Sequence, residues 1–191
     1  MFMLLFWSLW SLPLQAIEPT QSNPLPLNEK DLFPYKLKGR SSLTGQVFLS
    51  SPSGKAITQA GVPVHLIPIT PYTRSWFNRR IRTSGCPAQN SPGEQAVTPP
   101  APADCAHDAL AALLDEKRLT PYLRTTRANP TGHFWFTKLP AGRYYIVSVV
   151  EEGASAHQEE RATGIAWLIV DLEAGEKATN LVVTDCKRSF C

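Results

Sequence analysis

The chain has 191 residues, of which 43% are apolar and 18% charged, and a net charge of +3. The length suits one small domain, and the charge is mild, although Arg74, Arg79, Arg80 and Arg82 crowd one stretch.

Residues 1–16 hold no charged residue, and Leu4, Leu5, Phe6, Trp7, Leu9 and Trp10 form an apolar run. The run is shorter than the about 20 residues a membrane-spanning helix needs, and Pro13 breaks it before the small Ala16. It reads as a secretory signal peptide, although it lacks the usual basic start and has Leu14 where a small residue is usual. A periplasmic or secreted location is therefore expected, where nucleic acid is not a partner. No cysteine follows directly after the expected cleavage point, so a lipid anchor is not indicated. Residues 17–40 carry Pro19, Pro24, Pro26 and Pro34 without periodicity and read as an extended arm or linker. Leu25, Leu27, Leu32 and Phe33 could dock on a partner or along the domain.

From residue 43 the pattern changes to a period of two. Leu43, Gly45, Val47 and Leu49 share one face, as do Val62, Val64 and Leu66 on a second strand that starts at Pro63. Further strands are expected over 122–128, 133–136, 143–150, 165–172 and 180–184, separated by turn signals such as Asn129-Pro130-Thr131-Gly132 and Ala174-Gly175-Glu176. That makes seven strands, enough for two facing sheets in a domain over 41–185. Residues 70–120 interrupt the series as an insertion. Within it, Leu110, Leu113 and Leu114 recur at helical spacing, predicting one short helix over 107–119 that Pro121 stops.

An oxidising compartment gives the four cysteines a role. Cys86 and Cys105 bracket a proline-rich stretch, and Cys186 and Cys191 bracket the tail at 186–191. Four cysteines permit three pairings; pairing each with its near neighbour closes the segments that have least else to hold them. Neither pair has zinc-ligand spacing, and no metal or other cofactor is expected.

The series Gly45-Gln46-Val47, Gly61-Val62-Pro63-Val64-His65-Leu66, Thr131-Gly132-His133-Phe134-Trp135-Phe136 and Leu139-Pro140-Ala141-Gly142-Arg143-Tyr144 resembles the carboxypeptidase regulatory-like domain. The resemblance covers roughly 42–69 and 121–184. It implies an all-β fold: a seven-stranded, Greek-key, transthyretin-like sandwich, here with a disulfide-closed insertion. It implies little about function, because such domains serve as accessory, adhesive, sugar-binding and assembly modules.

Nothing in the sequence assembles a nucleophile, a base and an orienting group, and the chain is not expected to be an enzyme. Intradiol dioxygenases have a related sandwich and bind iron through two tyrosines and two histidines; Tyr144, Tyr145, His133 and His157 are the residues here that such a site could draw on. The family's His-x-His spacing is missing. Aromatic faces beside guanidinium groups suit stacking on sugars or on a protein surface, which marks Tyr72, Arg74, Trp76, Phe77, Arg79 and Arg80 as candidate binding residues. Trp135 joins them if its strand face is open to solvent. The expectation is a non-enzymatic binding or assembly module of the bacterial cell envelope, with an envelope protein as partner. A carbohydrate-binding module for wall or capsule polysaccharide is the alternative, its retention weakened by Trp76 or Trp135 replacement and little affected by salt.

Overall fold

A computed structural model describes residues 25–50, 56–82, 102–151 and 163–184. The four cysteine side chains, the leader and the pairs Cys86–Cys105 and Cys186–Cys191 lie outside what it describes, as does His157.

Among the described residues are eight strands: β1 (Ser41–Ser50), β2 (Ala56–Ile57), β3 (Pro63–Pro68), β4 (Arg124–Arg127), β5 (His133–Leu139), β6 (Gly142–Glu151), β7 (Thr163–Leu172) and β8 (Lys177–Thr184). All seven expected strands are present; β2, two residues long, is the addition. The strands form one curled, mixed sheet. β4, β3, β6 and β7 run side by side, and a single pairing of Trp167 with Thr184 joins β7 to β8. β8 lies parallel to β1, while β5 and β2 share the other edge of β1 in antiparallel register.

The curl brings the inner faces of its two halves together. Leu43 and Val47 of β1, Phe134 and Phe136 of β5 and Val183 of β8 pack with Val64, Leu66, Tyr144, Ile146, Ala166 and Val170. Gly45 makes that closure possible. A Cβ there would stand 2.6 Å from the Leu181 carbonyl oxygen and 2.9 Å from the Phe134 ring.

β6 explains the rest of the architecture. From Tyr144 to Ser148 every residue is buried, so both of its faces are covered. Tyr144 and Ile146 point into the core just described, whereas Tyr145 and Val147 point into a second one, together with Ile67, Phe77, Ile81, Leu110, Leu113 and Leu119. Helices supply that cover. α1 (Pro71–Phe77) starts from a reciprocal cap in which the Thr70 hydroxyl accepts from the Thr73 amide (3.2 Å) and the Thr73 hydroxyl accepts from the Thr70 amide (2.9 Å). The Thr73 hydroxyl also donates to the Pro68 carbonyl at 2.7 Å, tying the helix to the end of β3. A π-helical turn, Asn78–Arg82, continues it.

The insertion thus departs from its expected single helix. α2 spans Pro102–Leu114 rather than 107–119. It opens on Pro102, where the missing amide costs nothing. It ends early because the Thr120 hydroxyl takes the carbonyls of Leu114 (3.1 Å) and Glu116 (3.0 Å), turning the chain so that Leu119 is buried. Pro121 sits in a 3-10 turn, Thr120–Tyr122, which shortens β4 at its start. The N-terminal stretch is not extended throughout: Glu29–Tyr35 is a 3-10 helix, and Leu27 and Leu32 are buried in the helical layer.

Candidate functional site

Helices cover the outer face of the β3–β6–β7 half, and no comparable layer covers the outer face of β5–β1–β8 among the described residues. Its side chains stand in rows across the three strands. In the central row Trp135 lies opposite Thr44. Trp135 is 58% exposed, the most open of the aromatic side chains on the strands. On the other side of Thr44 the register slips, because Leu43 pairs with Ala178 and Gly45 with Leu181. Thr179 and Asn180, both exposed, therefore share the place opposite Thr44, and Asn180 absorbs the slip at φ 58°.

The next row is His133, Gln46 and Val182. A turn holds its polar members still. The Asn129 carboxamide oxygen accepts from the amides of Thr131 (3.0 Å) and His133 (2.8 Å) and from the Thr131 hydroxyl (2.8 Å). That hydroxyl has one proton and spends it on Asn129, so its 2.9 Å contact with His133 Nδ1 requires the imidazole to donate. Gln46 Nε2 donates to the Thr131 carbonyl at 2.7 Å. Val182 completes the row with 53% of its surface exposed.

The third row results from a matching slip in β5. Ser41 pairs with Leu139 and Leu43 with Phe136, so Thr137 and Lys138 together face Ser42, and Lys138 takes φ 59°. On the far side of Ser42 stands Lys177. Both lysines are exposed. The face is thus an aromatic plate amid hydroxyl, amide and imidazole groups, with two cations along one margin. An open indole offers a flat apolar surface, and fixed polar neighbours give it direction.

The candidate residues of the insertion lie elsewhere, in the helical layer across the core from Trp135. Phe77 is a correction: it is 1% exposed, stacked on Tyr145 at 4.1 Å and edge-on to Trp167 at 5.0 Å, and so is core rather than contact surface. The helical repeat of α1 turns it inward. Tyr72 and Trp76 are half-buried against the same cluster. Arg74 and Arg80 are exposed, while Arg79 is half-buried with interactions of its own. Tyr144 and Tyr145 lie on opposite faces of β6, so the structure does not bring them together as ligands of one ion, and His133 lies on the outer face of β5.

A cavity of about 320 Å³ lies between β3 and α2, walled by Val62, Leu110, Leu114 and Val149, with His65 and His107 at its lining. Burial pulls His65 down to about 4 from an ordinary 6.5, and its Nδ1 lies 3.0 Å from the Thr125 hydroxyl. The imidazole is neutral at physiological pH, and no nucleophile stands beside it among the lining residues.

No family model matches the chain, and no curated protein matches it. The chain is similar in structure to a protein of Pseudomonas aeruginosa proposed to bind carbohydrate, with a TM-score of 0.59 and 21% identity over 85% of this chain and 99% of that one. A minor pilin of Streptococcus agalactiae gives a TM-score of 0.33 at 13% identity, over 81% of this chain and 48% of the pilin. The first likeness shows a shared fold. The carboxypeptidase regulatory-like assignment rests on the sequence resemblance alone. No helix among the described residues is long and apolar enough to cross a membrane.

Proposed function

We propose that this chain is an exported, non-enzymatic binding module of the cell envelope, and that the outer face of β5–β1–β8 binds polysaccharide. The observation that carries the reading is Trp135, open to solvent in the middle of a strand face and flanked by Thr44 and by a His133 and Gln46 whose orientations the Asn129 turn fixes. A large exposed aromatic costs solubility and contributes nothing to a core, so its place among rigid polar groups favours a contact role. The likeness to a protein proposed to bind carbohydrate supports the same fold for this purpose. The reading keeps the leader at 1–16, the transthyretin-like sandwich and the two disulfides as its finer expectations.

The test is retention on insoluble wall and capsule polysaccharides, with Trp135→Ala beside the parent. Loss of one central aromatic should weaken retention about tenfold or more. Retention unchanged by Trp135→Ala would sink the assignment of this face.

A second reading has its own observation: Arg74 and Arg80 are exposed beside the half-buried Tyr72 and Trp76 on the helical layer. That surface suits a protein partner in the envelope. Recovery of a defined complex from solubilised envelope, lost on Arg74→Ala with Arg80→Ala and kept on Trp135→Ala, would support it over the first.

A further inference from the structure

Resting on the polysaccharide reading, we infer that the ligand of the Trp135 face is an acidic glycan, one bearing carboxylates along its chain. The two slips in register decide the charge of this face. Plain alternation from Phe134 and Phe136 would turn Lys138 inward; the extra residue in β5 turns it outward and returns Leu139 to the core. Lys138 and Lys177 then stand on either side of Ser42, one strand away from it in each direction, about 10 Å apart across the sheet. Trp135 lies one row above them.

A second stretch of chain brings more positive charge to the same margin. The Gly39 amide donates to the Lys138 carbonyl at 3.1 Å, so Lys38 and Arg40, both exposed, flank the point where this segment meets β5. The approach is close enough to demand glycine, since a Cβ on Gly39 would fall 1.8 Å from the Leu139 carbonyl oxygen. Opposing charge is absent from the rows themselves: the outward positions of the three strands, as described above, include no Asp or Glu. Two acids, Glu173 and Glu176, border the same margin from the β7–β8 turn, where the Glu176 carbonyl accepts from the Ser42 amide at 2.9 Å and the Glu173 carbonyl from the Ser41 hydroxyl at 2.7 Å. There the Glu176 carboxylate accepts from the Glu173 amide at 2.6 Å and so caps its own turn.

An aromatic plate bordered by four cations against two acids, one of them engaged in its own turn, keeps an excess of positive charge and discriminates by charge. A neutral glycan would gain from the indole and leave the cations unused. A polyuronate can stack one ring on Trp135 while its carboxylates meet Lys138 and Lys177, and complementary charge also speeds encounter.

The test uses the full chain with two probes of similar length, polygalacturonate as the acidic glycan and dextran as the neutral one. Polygalacturonate should be preferred, and its binding should weaken as salt rises. Lys138→Gln with Lys177→Gln should weaken it about tenfold and flatten the salt dependence, the sum of two exposed ion pairs. Lys138→Arg with Lys177→Arg should keep both affinity and salt dependence, and an unchanged unfolding midpoint separates charge loss from misfolding. Equal, salt-independent binding of both glycans, untouched by the glutamine pair yet weakened by Trp135→Ala, would overturn the acidic class and leave the polysaccharide reading standing. Binding of neither glycan would overturn both.

Discussion

Phe77 and Trp135 carry opposite assignments, and truncating each to alanine separates them. Phe77 is buried between Tyr145 and Trp167, with ring centroids at 4.1 and 5.0 Å, in a layer that also holds Leu113, Ile81 and Val147. Removing a buried phenylalanine ring costs about 3 to 5 kcal/mol, the loss of transfer energy plus the cavity left behind. The stacked pair places Phe77 toward the upper half of that span, so about 4 kcal/mol is expected from a total that for such domains is about 5 to 15. Trp135 lacks that enclosure, and Trp135→Ala should change stability by no more than about 0.5 kcal/mol. Urea unfolding followed by far-ultraviolet circular dichroism reads both, with a constant m-value confirming that only stability has moved. A Phe77→Ala cost under about 1 kcal/mol would refute the packing of α1 onto β6. A large cost for Trp135→Ala would refute the open face and with it the proposed site.

The pH dependence of stability should carry the mark of His65, whose folded pKa of about 4 lies below its ordinary 6.5. The unfolded chain takes up the proton first, so this contribution is intact above about pH 6.5 and is lost as pH falls towards 4; His65→Gln should flatten that stretch of a stability–pH curve. Gly45→Ala forces a Cβ to within 2.6 Å of the Leu181 carbonyl and 2.9 Å of the Phe134 ring. A loss of about 1 to 3 kcal/mol in urea unfolding is expected, with weaker glycan retention because Thr44 and Gln46 flank the shifted residue.

Much of the sheet is legible in the sequence because strand burial repeats every second residue. Leu43, Val47, Phe134, Phe136, Val64 and Leu66 all take the side that alternation gives them. The helical layer is not legible in the same way. α1 is seven residues long, too short to establish a period, and Arg74 within it and the arginines of the turn that follows mask the inward turn of Phe77 and the capping pair Thr70 and Thr73. Leu27 and Leu32 are buried in the same outer cluster as Tyr145 and Val147 of β6, a non-local fact. The site shows the same limit more sharply. Trp135 is visible as an outward residue, but whether that face is covered depends on where the insertion folds. Lys138 and Asn180 are assigned to the wrong side by strict alternation, because each follows a residue added to its strand.

These additions link the fold to the proposed chemistry. Both slips lie against the same stretch of β1, one on each edge, between Ser41 and Gly45. A single extra residue bends a strand and increases its twist, and paired additions on either side of one strand bend a sheet locally while leaving its core register intact. Leu43 and Gly45 keep their inward places, so the core pays little for the change. The outer face gains two neighbouring outward side chains at each slip where alternation allows one. Those four are Thr137, Lys138, Thr179 and Asn180, each exposed and each able to hydrogen-bond. A strand device that adds polar reach next to the open indole, on the half of the sheet that no helix among the described residues covers, ties the binding proposal to the architecture rather than to one residue. Deleting Lys138 should therefore restore plain alternation with Thr137 outward and Leu139 still inward, so that the deletion spares the core, as Lys138→Gln does, while both weaken glycan binding; a loss of more than about 3 kcal/mol in urea unfolding on deletion alone would show that the core depends on the slip in β5.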